Sequence, residues 1–151
     1  MALRYSRLGS TLKVVNKGEK EFTAASTDEL AVIDLTAAPY AHGIRSVLFT
    51  LQNMALDGTL TLTCSGNTAA DGSGTDTVLA TMSIADADTV AAMEIDSELI
   101  GHFSDRATGG TFKSLVLDGG GTDDDTVDLC YVVDCLQEQD LLTPSDTTTV
   151  T

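Results

Sequence analysis

Apolar and polar residues alternate with period two through most of this chain. In Thr59-Leu60-Thr61-Leu62-Thr63-Cys64 the apolar residues share one face and the threonines the other, the pattern of a half-buried antiparallel strand. Val78, Ala80, Met82 and Ile84 make a second such face. Val127, Leu129, Tyr131, Val133 and Cys135 make a third, with Asp128 and Asp134 directed away from it. Between Ile44 and Gln52, Val47, Phe49 and Leu51 lie on one side and Leu48 on the other, which predicts a strand buried on both faces. Weaker stretches of the same period run over 11–15, 20–23, 30–35 and 111–117. The segment 89–103 reads two ways. Val90, Met93, Leu99 and Ile100 fit a short helix, whereas Ala92-Met93-Glu94-Ile95 fits a strand. Abundant Thr and scarce Lys suit exposed pleated faces better than helix surfaces. Seven or eight short strands with Gly- and Asp-rich turns predict an all-β fold: an antiparallel β-sandwich, jelly-roll-like, with an extended N-terminal arm.

The turns carry a short repeat. Asp71-Gly72-Ser73-Gly74-Thr75-Asp76 and Asp118-Gly119-Gly120-Gly121-Thr122-Asp123 both spell D-G-x-G-T-D, and each precedes a Thr-Val pair that opens a strand. Glycines supply positive φ and aspartates bond their own downstream amides, so both copies read as chain-reversing loops. The flanking strands do not match further, which argues against a duplicated domain. After Pro144 the chain is Thr-rich and aperiodic, predicting a flexible tail over 143–151.

Charge alters this picture more than composition does. A chain of 151 residues with 42% apolar content can bury a core without covalent staples. Its net charge is −15. Residues 1–20 hold Arg4, Arg7, Lys13, Lys17 and Lys20 against Glu19 alone, a net of +4, while the remainder holds three bases against 22 acids, a net of −19. The expected organisation is a basic N-terminal arm or first strand over 1–20, a sandwich domain over 21–142, and the tail. A basic arm ahead of an acidic body can lie on its own body or reach a neighbouring acidic surface. The acidic excess argues against a nucleic-acid partner, which needs clustered Lys and Arg. No apolar run approaches the roughly 18 residues of a membrane span. No apolar stretch of signal-peptide length follows the basic start, so passage through a secretion pore is not expected.

Candidate chemistry is sparse, and neither an enzyme activity nor a cofactor is expected. Cys64, Cys130 and Cys135 are an odd number without metal-ligand spacing, and they read as buried thiols. Cys130 and Cys135, five apart, would face opposite sides of one strand and could not bond to each other, while a Cys64–Cys130 or Cys64–Cys135 bridge stays open on sequence. The aspartates at 71, 76, 118 and 123 invite a calcium reading, but Ser73 and Thr75 stand where the calcium-loop pattern requires acids, and its closing Glu is missing. No metal site is therefore expected. His102, Ser104 and Asp105 are neighbours in sequence, which is not how a nucleophile triad is assembled. Paired carboxylates such as Glu94 and Asp96 arise by chance among 23 acids. Gly119-Gly120-Gly121 lacks the Lys of a phosphate cradle and is followed by acids.

With its basic start Ala2-Leu3-Arg4-Tyr5-Ser6-Arg7-Leu8, its strand pattern from Leu30 to Leu136 and its Thr-rich end, the chain resembles the head decoration (cement) proteins of tailed bacteriophages. That resemblance implies a non-enzymatic virion protein, often a homotrimer, bound to the capsid exterior where several major capsid protein subunits meet. The residues expected to grip the shell are Arg4, Tyr5, Arg7, Lys13 and Lys17. Cations would bond shell carboxylates, and apolar neighbours would anchor them. The alternatives are a tail-tube, tail-terminator or connector subunit, and a calcium-dependent adhesion or glycan-binding module using Asp71, Asp76, Asp118 and Asp123.

Overall fold

The structure, a computed structural model, describes residues 10–23, 27–37, 40, 43–96 and 112–136. The alternating segments form eight strands: β1 (Ser10–Glu21), β2 (Thr27–Asp34), β3 (Ile44–Ala55), β4 (Leu60–Asn67), β5 (Asp76–Ile84), β6 (Ala91–Asp96), β7 (Ser114–Gly120) and β8 (Thr126–Leu136). No α-helix occurs among the described residues. All pairings are antiparallel, and they nest: β1 with β8, β2 with β7, β3 with β6, β4 with β5. Two further ladders, β3–β8 and β4–β7, complete sheets of order β1-β8-β3-β6 and β2-β7-β4-β5. Nested pairing of first strand with last is a jelly roll, an antiparallel ribbon rolled up so that its halves face each other as two sheets. The all-β sandwich expected from the alternation is present, with the jelly-roll order.

The inner faces supply the core. Val47, Phe49, Leu51, Ile95, Leu129, Tyr131 and Val133 from one sheet meet Ile33, Leu60, Leu62, Cys64, Leu115 and Leu117 from the other, all buried. The Phe49 and Tyr131 rings sit 5.7 Å apart between centroids and are tilted by 58°, a favourable edge-directed arrangement. Each fully buried Leu, Ile or Phe contributes roughly 1.5–3 kcal/mol over its exposed state.

Bulges explain where strict alternation fails. In β3 the register shifts between Ile44 and Ser46, so Ile44 and Val47, an odd distance apart, are both buried. It shifts again between Gln52 and Ala55, where Asn53 takes φ 47° and Met54 turns inward. A shift between Glu29 and Ala31 likewise buries both Leu30 and Ala31. In β1, Asn16 Oδ1 accepts from Gly18 N–H at 2.8 Å, and Gly18 adopts φ 74° at the shift. Segments 11–15 and 20–23, read separately from sequence, are joined by this bulge into one strand reaching Glu21.

Several expectations change. β3 is buried on one face only, since Leu48 is 39% exposed. The face through Val78 and Ile84 is covered only toward its end: Val78 is exposed on the sheet edge, whereas Ile84 is buried. Cys130 is half-buried, not buried like Cys64 and Cys135. In the segment 89–103 the strand prevails as β6, and residues beyond 96 lie outside the described ones. The second D-G-x-G-T-D copy is only partly a loop, because Asp118–Gly120 ends β7. Of the expected arm, 10–20 belongs to β1, paired with β8 along its length. Residues 1–9 and the tail 143–151 lie outside the described residues.

Phe22, which follows β1, ties that strand to the β7–β8 turn. Its N–H donates to Asp125 O at 2.8 Å, and its O accepts from Asp124 N–H at 3.2 Å. Its ring fills the space that glycine leaves at position 119, where an added Cβ would come within 2.8 Å of two ring carbons. Gly119→Ala is therefore expected to cost about 1–3 kcal/mol by overpacking. Gly120→Ala, whose Cβ would meet nothing nearer than Thr61 O at 3.9 Å, is expected to be neutral or stabilising by up to about 1 kcal/mol. Thermal unfolding of the two variants checks the pair, which should shift in different directions or by clearly different amounts.

Candidate assembly surface

The two sheets differ on their outer faces. Over β2-β7-β4-β5, the β4–β5 loop folds back. An added Cβ at Gly72 would lie 3.2 Å from Val116 and 3.3 Å from Val32, so the loop covers these two side chains. Buried Asn67 organises this loop: its Nδ2 donates to Gly72 O and Asp76 Oδ1, and its Oδ1 accepts from the amides of Ala69 and Gly74. Ser114 Oγ donates to Ala69 O at 2.7 Å and fastens the loop to β7.

On the β1-β8-β3-β6 sheet, apolar side chains face outward. Val14, Val132 and Leu48 are direct neighbours across three successive strands. Leu12 and Val14 are 63% and 62% exposed. A depression of about 140 Å³ lies beside the β1 bulge, lined by Asn16, Gly18, Gln52, Asp128, Leu129 and Cys130. Lys13 and Lys17 are exposed on β1, and neither is ion-paired with another described residue. Arg4, Tyr5 and Arg7 lie outside the described residues. The sequence reading missed the outward Leu12 and Val14. The signal available was Leu12-Lys13-Val14-Val15, in which apolar residues occur on both parities.

The acidic loops are internally bonded. Asp71 Oδ1 accepts from the Ser73 amide at 3.1 Å and its hydroxyl at 2.7 Å, and these bonds hold the Asp71 carboxyl below its usual pKa. Buried Asp125 caps the second loop, accepting from the amides of Asp57 and Thr122, both at 2.7 Å. Among the described residues, no group of three His, Cys, Asp or Glu side chains is placed to hold a metal ion. Cys64 and Cys135 sit inside the sandwich, where burial pushes their thiols up to about 12 and about 11. Cys130, on the same strand as Cys135, faces the opposite side of the sheet, as their spacing predicts.

No family model matches the sequence, and no curated protein matches it. Solved structures share its fold. One, from work reporting that Bacillus endospore appendages form a family of disulfide-linked pili, superposes with a TM-score of 0.50 at 14% identity, covering 91% of this chain and 97% of that one. Another, the PBSX exported protein XepA, gives 0.54 at 12% identity over 92% of this chain, which spans only 42% of it. The Tobacco streak virus coat protein gives 0.44 at 10% identity, too distant to bear on this chain. At such identities the likeness is one of fold.

Burial, followed by repulsion from Asp76 and Glu29, raises the pKa of the Asp118 carboxyl. Glu29 is its direct cross-strand partner. A carboxyl raised in the folded state contributes stability below the ordinary Asp value, and that contribution is lost as pH rises through the folded value. At pH 7 the like-charged pair is thus a net cost, and Asp118→Asn is expected to stabilise by a few tenths to about 1 kcal/mol. The gain should shrink as pH falls toward 4, which unfolding midpoints at the two pH values would check.

Proposed function

We propose that this chain is a non-enzymatic structural subunit of a virion or phage-related assembly, in which it packs against copies of itself. The observation that carries the reading is β1. A strand at the open edge of a sheet is a template for pairing with another chain. Here that strand also exposes Leu12 and Val14 and carries Lys13 and Lys17 on an otherwise acidic protein. Opposite charge steers encounter, and exposed apolar residues give it something to bury. The use of the same fold in endospore pili supports the self-association.

In its finer form, the subunit is a cement protein on the capsid exterior, acting as a homotrimer against the major capsid protein. Arg4, Tyr5, Arg7, Lys13 and Lys17 then reach shell carboxylates, and several sites per oligomer gain from avidity. The acidic remainder faces water and keeps decorated particles apart. A ring or tube subunit of a tail or connector is the second reading, favoured by the two edges of the β1-β8-β3-β6 sheet, β1 and β6, each of which has a single ladder among the described strands.

Copy number in purified native particles tests these readings. Hundreds of copies over the shell are expected for a cement protein, and a fixed small number at one vertex or along a tail for the second reading. Absence of the chain from any particle or filament contradicts both. Charge reversal at Arg4 and Arg7 is expected to abolish binding to undecorated capsids while leaving the melting temperature unchanged. Full occupancy by that variant would rule out the cement form.

A further inference from the structure

The β1-β8-β3-β6 sheet has two edges, and they differ in charge. From Ser10 to Gly18, β1 contains Lys13 and Lys17 and no acid. From Ala85 through β6 to Asp96, the opposite edge and the turn leading into it contain Asp86, Asp88, Glu94 and Asp96 and no base. Among the described strands, β1 pairs only with β8 and β6 only with β3, so each has one side of its backbone without a ladder. Both edges also expose apolar side chains: Leu12 and Val14 on β1, and Val90, 61% exposed, just ahead of β6.

We infer that the β1 edge of one copy pairs with the β6 edge of a second copy, continuing this sheet from subunit to subunit. The inference rests on the self-association proposed above and names the surfaces that perform it. Strand direction favours it. Three successive antiparallel pairings make β1 and β6 antiparallel to each other. A second copy shifted along the sheet, without being turned over, therefore brings its β1 antiparallel to the first copy's β6. Inner faces stay inner, and the repeat is about 19 Å for four strands. Charge sets the choice of partner. Two β1 edges repel each other, as do two β6 edges, whereas the unlike edges attract. In the register that keeps rows level, Glu94 of one copy stands opposite Val14 of the next, and Lys13 is one position along the strand from that row. The contact is head-to-tail, so it generates a ring if the rotation closes and a filament if it does not.

Sedimentation velocity of the full chain tests the pairing with two variants, Lys13→Glu/Lys17→Glu and Asp86→Lys/Asp88→Lys/Glu94→Lys, which reverse the net charge of the β1 and β6 edges respectively, alone and mixed in equal amounts. Wild type is expected to sediment as oligomers that dissociate when salt is raised. Each variant alone, having two edges of one sign, is expected to sediment as monomer. The mixture is expected to recover oligomers, because each edge then finds an opposite one. Misfolding of either variant would not be repaired by mixing, so recovery also verifies the folds. Oligomers of wild type and of both variants alone would overturn the edge pairing while leaving the self-association reading standing. Monomeric variants that stay monomeric when mixed would overturn the pairing of these two edges. Wild type that is monomeric at every concentration and salt would overturn both readings.

Discussion

The nested ladder, first strand against last and so inward to β4 against β5, is the constraint on which the rest of the structure depends. It brings both ends of the described chain, Ser10 and Leu136, to one pair of adjacent strands. It also divides eight strands into two sheets of four, whose inner faces exclude water from each other. Burial of those faces drives the fold, since period-two alternation offers each strand one apolar side. The same arrangement leaves four sheet edges. A closed barrel would have removed them, and a sandwich does not.

How those edges are treated separates structural residues from candidate functional ones. The β4–β5 loop is anchored on the outer face of one sheet through Asn67 and Ser114. The β7–β8 turn is closed by Asp125 and by the backbone bonds of Phe22. In the first loop Asp71 accepts from the Ser73 amide, and in the second Asp125, just past the repeat, accepts from the Thr122 amide. The opposite sheet instead exposes Leu12, Val14 and Leu48 outward and carries lysines at one margin and carboxylates at the other. A chain with strong net negative charge gains solubility from its acids. Its few cations therefore define where an unlike surface can approach.

Much of the fold was legible in the sequence, for a physical reason. Alternation in 59–64 and 127–135 reports burial of one face, and burial is what forms β4 and β8. What escaped the reading depends on pairing. A bulge at Gly18 joins two short segments into β1, and bulges in β3 bring Ile44 and Met54 inward against the period. Leu48 was read as buried because its own strand is apolar on both sides. Only the neighbouring strands decide whether a second face is covered. The cationic start was visible as charge, and Lys13 and Lys17 were singled out on that ground. That β1 and β6 are the two edges of one sheet is a property of the strand order, which no local pattern encodes.

In the proposed assembly β1 pairs with β8 of its own sheet and turns its other side, which has no ladder among the described strands, to a second copy. Hydrogen exchange resolved to single amides tests this directly, comparing the chain in its assembled state with the chain dissociated by dilution in high salt. Amides of β1 that point toward β8 are expected to be protected in both states, and those that point away only in the assembly, with a matching change along β6. Identical exchange along β1 in the two states would contradict the account.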